Sequence, residues 1–276
     1  MAYNRVDSEI EYLNLGCGYR FNPKWTNVDF STTGKNVIAH DLNKNIPFAN
    51  ETFDLVYHSH VLEHFSKAGA ANFIQECCRV LRPGGVLRVV VPDLEQIARL
   101  YLTSLEKAPG SNQWAESYEW IALELLDQMV RNSRGGEMSS YLARSQHGRD
   151  FAVERFGTEA KQLITVPKND HRLKSLTKEF RNKLAAVHHL LPEPLKRFYT
   201  AVKIGYYRQS GEVHQWMYDR YSLANLLQDC GLEEVVQRSA TDSYILEWTS
   251  FNLDTEPDGS VYKPDSLFME AVKPIH

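Results

Sequence analysis

Two glycines and two carboxylates follow short apolar runs in the first part of the chain. Gly16, Cys17 and Gly18 come directly after the first run, and Asp29 and Asp41 end the second and third. A glycine lets the main chain approach a ligand that a Cβ atom would repel. A carboxylate at the end of the second strand accepts both ribose hydroxyls in dinucleotide folds, and one after the third can accept from an exocyclic amine. The set predicts a nucleoside-binding ledge.

A histidine-rich segment follows the fourth apolar run and offers groups for acid–base chemistry. Histidine has an ordinary pKa of ~6.5, which suits a general base near neutral pH. We expect His60 and His64 to be the main catalytic candidates, with Asp93 and His214 in support. Each has a structural alternative, because His64 can pack at a helix start, Asp93 can cap a helix and His214 can be a hinge contact.

The same segment also suggests a metal-binding interpretation. His58, His60 and His64 resemble the His-x-His-x-Asp-His motif of metallo-β-lactamase-type hydrolases, but the acid and the last histidine come one residue later here. Imidazoles must converge on one ion at about 2.0–2.1 Å, so a shift of one residue redirects the ligands. We therefore expect no metal cofactor, and a metal-dependent hydrolase is the less favoured alternative.

Short strands that alternate with helices must position these residues. A helical pattern covers residues 73–81, and the motif Arg-Pro-Gly-Gly at 82–85 is predicted to end it. This alternation indicates a parallel sheet in an α/β fold, in which ligands bind at the carboxyl ends of the strands. The early strands are predicted at residues 11–16, 25–30, 36–41, 53–59 and 86–91.

The middle of the chain has a different character from its two ends. Residues 108–210 are predicted to form a mostly helical insertion, a lid over the acceptor pocket. Residues 1–107 and 211–276 are predicted to form the α/β core. Before the insertion, Asp93 and Gln96 have the spacing of a capping box at a helix start.

The last part of the chain returns to the pattern of the first. Ser222 is predicted to cap a helix whose apolar stripe ends before Gly231, a residue type favoured just beyond a helix end. Residues 233–238 and 266–272 are predicted to be the last two strands.

Charge is distributed unevenly along the chain. The 276 residues carry 31 Lys and Arg against 35 Asp and Glu, and this net charge of −4 gives no global attraction to nucleic acid. Residues 161–210 nevertheless hold eleven basic and three acidic residues. This stretch suits a solvated helix packed on the core, a pocket for an anionic or sugar-phosphate acceptor, or peripheral contact with anionic lipid. No specific nucleic-acid partner is expected.

Composition and cysteine usage indicate an ordinary globular protein in a reducing compartment. Hydrophobic residues make up 43% and charged residues 24% of the chain. The four cysteines lack Cys-x-x-Cys spacing and predict neither a disulfide framework nor a zinc site. No stretch resembles a signal peptide or approaches ~18 consecutive apolar residues. We expect a cytoplasmic location.

The ordered motifs as a set resemble a known family. LNLGCG, NVDF, HDL, IPFANETFDLVYHSHVLEHF, RVLRPGG and VVVPD, in residues 12–93, look like a class I S-adenosylmethionine-dependent methyltransferase of the type-11 kind. The resemblance resumes over residues 211–273. It implies a doubly wound, mostly parallel, seven-stranded Rossmann-like sheet with an antiparallel last strand, and S-adenosylmethionine as cofactor.

The same resemblance implies roles for individual residues. The glycine loop would pass the methionine part of the cofactor, Asp29 would hold the ribose, and Asp41 with the Leu42 backbone would meet the adenine. His58 and Ser59 would lie beside the methionine end. The implied cofactor-binding residues are Leu15, Gly16, Cys17, Gly18, Asp29, Asp41, Leu42, His58 and Ser59.

The resemblance implies methyl transfer to a small-molecule or glycan-type acceptor, with oxygen as the expected methylated atom. A non-catalytic S-adenosylmethionine-binding sensor or scaffold is the alternative from a different class, because the cofactor residues suit both. A nicotinamide-dependent dehydrogenase is disfavoured, since Phe21 occupies the third glycine position of its loop and Asn22-Pro23 does not open a helix.

Overall fold

A single twisted sheet organises the protein. The computed structural model describes residues 10–158, 160–161 and 192–275, and within them seven strands pair in the order β3-β2-β1-β4-β5-β7-β6. The strands are β1 (Tyr12–Leu15), β2 (Thr26–Asp29), β3 (Val37–Ala39), β4 (Phe53–Ser59), β5 (Leu81–Pro92), β6 (Glu233–Arg238) and β7 (Ser266–Val272). The first five run parallel, and β7 runs antiparallel to both of its neighbours. The predicted doubly wound fold is confirmed.

Helices cover one face of the sheet, and further helices form a separate layer. The described helices are α1 (Lys67–Val80), α2 (Leu94–Lys107), α3 (Asn112–Val130), α4 (Gly136–Arg144), α5 (Gln146–Phe156), α6 (Glu193–Arg208) and α7 (Arg220–Asp229). In this part of the chain, no helix is both long enough and apolar enough to cross a membrane.

Strand register brings the ends of β1, β2 and β4 together. Leu15 lies opposite Val28 on one side and His58 on the other, so the residues that follow these strands emerge at one edge. Because side chains alternate along a strand, Tyr57 and His58 face opposite sides of the sheet. The glycine loop and the histidine-rich segment therefore begin at the same edge.

The two faces of the sheet are covered differently. One face packs against α1 and α7, where Phe73, Leu223 and Leu227 join the buried strand residues. The other face is covered by the long connection between β6 and β7, whose Trp248 packs with Trp25 and Tyr57. No local sequence pattern predicts this covering.

A buried arginine holds that connection in place. The Arg88 side chain on β5 is fully buried and pairs with Asp254 and Glu270, each at 2.8 Å. It also donates to the main-chain carbonyls of Ser239 and Asp242 at 2.7 and 3.0 Å. A buried guanidinium is tolerated only where its donors are satisfied, and this arrangement meets that condition with groups from the connection and from β7.

The described part of the predicted insertion is helical. Trp120, Tyr141 and Phe156 form the centre of a core shared by α2, α3, α4 and α5. Arg155 pairs with the buried carboxylate of Glu124 and links α5 to α3. Helix α6 has no buried residue and leaves an apolar side exposed. Residues 162–191, which belong to the predicted insertion and to its basic stretch, lie outside the described residues.

Two predicted boundaries differ in the structure. Helix α1 already ends at Val80, so the residues at 82–85 do not end it; they bulge out of β5 between the pairs Phe53–Leu81 and Leu55–Val86. The cap of α7 is Asp219, whose carboxylate accepts from Ser222 N–H at 2.8 Å, while Ser222 completes the capping box from the third helical position. The predicted cap was therefore wrong by three residues.

Candidate active site

The loop after β1 requires glycine at its first position. The N–H groups of Gly16 and Cys17 both donate to the Val28 carbonyl, at 2.8 and 3.1 Å, so the chain turns back towards β2 as soon as β1 ends. Gly16 has a φ of +67°, and a Cβ atom there would lie 2.2 Å from Cγ2 of Val61. Conformation and space both exclude a side chain at this position.

The second glycine joins the loop to the acid at the end of β2. Gly18 N–H donates to Asp29 Oδ2 at 2.8 Å, and Ser31 N–H donates to Oδ1 at 3.3 Å. Gly18 has a φ of +53°, yet no other atom lies within 4 Å of where its Cβ would be. The loop is therefore open beside Gly18, next to a carboxylate whose oxygens keep further acceptor capacity.

The cysteine between the two glycines is not a reactive thiol. Cys17 is buried, and burial, together with the nearby Asp29 carboxylate, raises the pKa of its thiol to about 12. Since the thiolate is the nucleophilic form, Cys17 has a structural rather than a chemical part in the loop.

The acid after β3 lies in a tight turn at the same edge. Asp41 Oδ1 accepts from the Asn43 main-chain N–H at 3.1 Å and from its side chain at 3.0 Å, and these bonds lower the pKa of Asp41. The N–H of His40 donates to the Asp29 carbonyl at 2.8 Å, which ties the ends of β2 and β3 together. Leu42 is partly buried against the main core.

The first histidine of the segment turns away from the others. His58 is fully buried with its ring 5.1 Å from that of Phe73 on α1, and burial lowers its pKa to about 3. Neither ring nitrogen has a hydrogen-bond partner within the described structure. Its side chain belongs to the core under the edge, whereas Ser59 is partly exposed where β4 ends.

The second histidine occupies the turn that follows β4. His60 has a φ of +54°, and its N–H donates to the Val90 carbonyl at 2.9 Å. Its Nε2 lies 2.8 Å from the Ser266 hydroxyl oxygen, and its Nδ1 lies 3.5 Å from Glu63 Oε1. An imidazole between a hydroxyl and a carboxylate is held in one orientation, which suits proton transfer.

Glu63, His64 and His214 complete the cluster, although the last comes from far along the chain. Glu63 and His64 lie in the 3₁₀ turn Leu62–His64, and His214 Nε2 lies 3.9 Å from Glu63 Oε1. The rings of His64 and His214 meet edge to face with their centroids 4.9 Å apart. The cluster brings together three of the four predicted catalytic residues.

Hydrogen bonds fix the two halves of the cluster against each other. Gln215 N–H donates to the Glu63 carbonyl at 2.7 Å, and the Gln215 side chain donates to the His64 carbonyl at 2.9 Å. His214 N–H donates to the Gln128 carbonyl on α3 at 3.0 Å. The cluster is thus built on backbone contacts between the core and the start of the last segment.

Burial sets the protonation state of the three imidazoles. It lowers the pKa of His60, His64 and His214, with smaller electrostatic contributions from Lys263 and among the imidazoles themselves. All three are neutral near pH 7 and can accept a proton or offer a lone pair. The carboxylate of Glu63 is fully buried among them.

Asp93 caps helix α2, which is the structural role that the sequence offered as an alternative to catalysis. Its Oδ1 accepts from Glu95 N–H at 3.0 Å and Gln96 N–H at 3.3 Å, at the start of α2. Burial raises the pKa of this carboxyl group, and the two cap bonds oppose that effect. Asp93 follows β5 at the same edge, and its cap bonds fix the start of α2 there.

Sequence reasoning did not assign Glu63, Tyr218 or Ser266 to the site. Glu63 is the acid of the histidine-rich segment, but its spacing from the histidines only argues against the hydrolase motif and does not indicate a role in the site. Tyr218 is buried, and burial with the Glu63 charge raises its pKa to about 12. Ser266 reaches His60 only because β7 pairs with β5 in the register Pro92–Ser266, which no local pattern predicts.

Strand order and strand direction define a class I methyltransferase fold. Residues 13–89 match a family model described as a methyltransferase domain. Residues 13–89 therefore carry a methyltransferase domain, in agreement with the resemblance to class I S-adenosylmethionine-dependent methyltransferases that the motifs predicted.

A relative and several solved structures are similar to this chain. Phthiotriol/phenolphthiotriol dimycocerosates methyltransferase 1 of Mycobacterium ulcerans is 30% identical over 149 residues, which are 50% of this chain and 48% of that protein. The match spans about half the length of that relative. A SAM-dependent methyltransferase from Archaeoglobus fulgidus has a TM-score of 0.38 and 11% identity, covering 96% of this chain and 86% of that one. The CurJ carbon methyltransferase has a TM-score of 0.40 and 9% identity, covering 98% of this chain and 50% of that one.

Proposed function

We propose that this protein transfers the methyl group of S-adenosylmethionine to an oxygen atom of a small-molecule or glycan-type acceptor. The observation that carries the proposal is the glycine loop, open beside Gly18 and bonded to Asp29 at 2.8 Å. A bare main chain next to a carboxylate suits the methionine and ribose parts of a nucleoside ligand.

The residues at this edge fit the cofactor. Leu15, Gly16, Cys17 and Gly18 would hold its methionine part, Asp29 its ribose, Asp41 and the Leu42 backbone its adenine, and Ser59 would lie nearby with His58 supporting from the core. When bound, S-adenosylmethionine supplies a methyl group on a positively charged sulfur, and an attacking acceptor oxygen takes that methyl while the carbon–sulfur electron pair stays on sulfur.

The chain's own contribution to the chemistry is orientation and removal of a proton. Neutral His60, held between Glu63 and Ser266, is the proposed acceptor of the hydroxyl proton, which moves to one of its ring nitrogens. His64 and His214 line the floor beside it, and Asp93 positions α2. A general base contributes typically 10²–10⁴-fold in rate.

The insertion is proposed to cover the acceptor and to contact an anionic surface. Leu195, Phe198 and Val202 form an exposed apolar face on α6, and Lys196 and Lys203 flank one side of it. This pattern suits peripheral contact with anionic lipid through residues 161–210. The relative from Mycobacterium ulcerans is named a methyltransferase of phthiotriol and phenolphthiotriol dimycocerosates, so we extend the proposed acceptor class to lipid-linked molecules. All four cysteines are free thiols, in keeping with the proposed cytoplasmic location.

Calorimetry and turnover measurements test this function in sequence. Titration with S-adenosylmethionine and with S-adenosylhomocysteine should show one site, and a screen of nucleotide sugars, oligosaccharides and lipid-linked acceptors should yield S-adenosylhomocysteine. Binding without product for any acceptor would favour the sensor or scaffold. Absence of binding would contradict both.

Separate substitutions of the histidines test the base. His60→Ala and His64→Ala should each lower turnover by about 10²-fold or more while leaving cofactor affinity within about threefold. His147→Ala, on α5, is the matched control and should retain turnover. If neither variant lost more than tenfold in turnover, neither His60 nor His64 would be the base.

The metal-dependent hydrolase that uses His58, His60 and His64 is not favoured. The His58 ring lies in the core against Phe73, away from the Glu63 and Ser266 contacts of His60. Three imidazoles that face different surroundings do not form a ligand set.

A further inference from the structure

We infer that Glu63, His64 and His214 form a binding site for one divalent transition-metal ion of the zinc class. Each of the three offers a ligand atom, and these atoms all lie within 4.8 Å of one another. This set excludes His58 and includes a residue 150 positions further along the chain, so it differs from the motif that the sequence suggested.

The donor types match the proposed ion. Two neutral imidazoles and one carboxylate are a common three-residue set for zinc sites that keep a fourth position open. Imidazole-rich sets favour first-row transition ions over magnesium, which prefers oxygen ligands. Glu63 supplies a negative charge to balance the ion, in a setting where Arg131 and Lys263 act on the same imidazoles with positive charge.

The distances require only a small contraction. Zinc bonds of about 2.1 Å place tetrahedral neighbours about 3.4 Å apart. Glu63 Oε1 and His214 Nε2 are 3.9 Å apart, and the widest separation in the set is below 4.8 Å. The Gln215 bonds to the carbonyls of Glu63 and His64 already hold the two main-chain segments together. Rotation of the side chains alone can therefore bring the ligand atoms to zinc-binding distance.

The three residues are accessible to solvent on one side and lie next to His60. His64 is partly exposed, so the cluster meets solvent on its side, while Glu63 and His214 are buried. His60 lies beside the set at 3.5 Å from Glu63 Oε1. An acceptor hydroxyl at the open position would have its pKa lowered by the ion and would release its proton to His60. This use rests on the proposed methyl transfer, whereas the site itself does not.

Metal titration of tag-free protein tests the site independently of activity. Protein stripped with EDTA and dialysed should bind one Zn²⁺ by calorimetry, develop visible Co²⁺ absorption, and unfold at higher temperature with Zn²⁺. Glu63→Gln and His214→Ala should weaken Zn²⁺ binding at least 100-fold, and His147→Ala should not. The partly exposed His64→Ala serves if the buried variants do not fold, as judged by circular dichroism.

The outcomes separate this site from the proposed function. Zn²⁺ binding without S-adenosylmethionine binding would support the site and contradict the methyl transfer. S-adenosylmethionine binding with no stoichiometric Zn²⁺ or Co²⁺ would overturn the site alone. Stoichiometric Zn²⁺ that survives in folded His64→Ala, Glu63→Gln and His214→Ala proteins would place the ion on other histidines and also overturn it.

Discussion

The main-chain N–H of Gly18 donates to Oδ2 of Asp29 across 2.8 Å, so the loop after β1 and the end of β2 form one unit. The other carboxylate oxygen accepts from Ser31 N–H at 3.3 Å. Each oxygen has about two acceptor positions, which leaves one on each for a ribose hydroxyl. One side chain therefore shapes the loop and faces the space that the loop leaves open.

Asp29→Asn is expected to weaken S-adenosylmethionine and S-adenosylhomocysteine binding by about 10–100-fold. The variant loses charge-assisted hydrogen bonds, each worth about 1.5–3 kcal/mol. Its side-chain NH₂ group is a donor and would also face one of the main-chain N–H groups that now donate to Asp29. Titration calorimetry measures the change. Asp258→Asn is the matched control, because Asp258 also accepts from a main-chain N–H in a turn but is exposed. Equal affinity of Asp29→Asn and wild type would contradict the ribose role.

Gly16→Ala is expected to destabilise the fold strongly. A non-glycine residue in the left-handed region costs about 1–3 kcal/mol, and the added Cβ would overlap Cγ2 of Val61 at 2.2 Å. Urea unfolding measures the loss. Gly231→Ala is the control for conformation alone, since Gly231 has a φ of +86° and open space around its Cβ position. Val61→Ala should recover part of the Gly16→Ala loss, and failure to do so would show that overlap is not the cause.

Gly18→Ala is expected to affect binding more than stability. Its φ of +53° imposes a conformational cost, but beyond the two adjacent residues no atom of the described structure lies within 4 Å of the new Cβ. If that space receives the cofactor, the methyl group should weaken S-adenosylmethionine binding at least tenfold by calorimetry. A variant that loses stability like Gly231→Ala and binds like wild type would show that the cofactor passes elsewhere.

The glycine loop and the strand ends could be predicted because their signals are local. The acids Asp29 and Asp41 follow apolar runs directly, and parallel strands bring such positions to one edge by rule. The orientation of the His58 side chain was harder to predict from the sequence. Strand alternation separates it from Tyr57, but only packing of α1 shows that its ring meets Phe73 rather than the site.

The histidines of the cluster were predicted as candidates, but the contact of His214 with Glu63 and the covering of the second face of the sheet could not be predicted, since both depend on distant segments. His214 approaches Glu63 because Gln215 bonds to the turn that carries it, and no periodicity encodes that contact. The connection that covers Trp25 and Tyr57 has no long helix or strand of its own. Its attachment depends on Arg88. A charged residue within an otherwise apolar strand was the one feature of the sequence that could have indicated a buried ion pair there.

The stability of the protein is expected to fall in acid partly through His58. The pKa of His58 is about 3 in the folded state because of burial, and ~6.5 when unfolded. Between these values the unfolded chain binds more protons, so stability decreases as pH falls through this window, by up to about 1.4 kcal/mol per pH unit for this residue.

His58→Leu is expected to reduce that acid sensitivity. The variant removes one proton uptake but keeps His60, His64 and His214, whose pKa values burial also lowers, so the slope should become smaller without vanishing. Leucine also replaces two ring nitrogens that lack hydrogen-bond partners in the described structure, so stability at pH 7.5 should be equal or higher. Urea unfolding at pH 7.5, 6, 5 and 4 measures both. Parallel pH curves for variant and wild type would contradict the proposed protonation state.

Arg88→Met is expected to cost about 3–5 kcal/mol, because it leaves Asp254 and Glu270 as buried charges without their central partner. Thermal or urea unfolding measures the loss, and Arg99→Met, which removes an exposed pair with Glu95, is the control with an expected cost below about 1 kcal/mol. Arg88→Lys should lie between the two, since it keeps the charge but loses the planar set of donors. Wild-type S-adenosylmethionine affinity in folded Arg88→Lys would show that the connection supports the fold without forming the cofactor edge. A loss no larger than that of Arg99→Met would mean that the apolar packing of Trp248 alone holds the connection on the sheet.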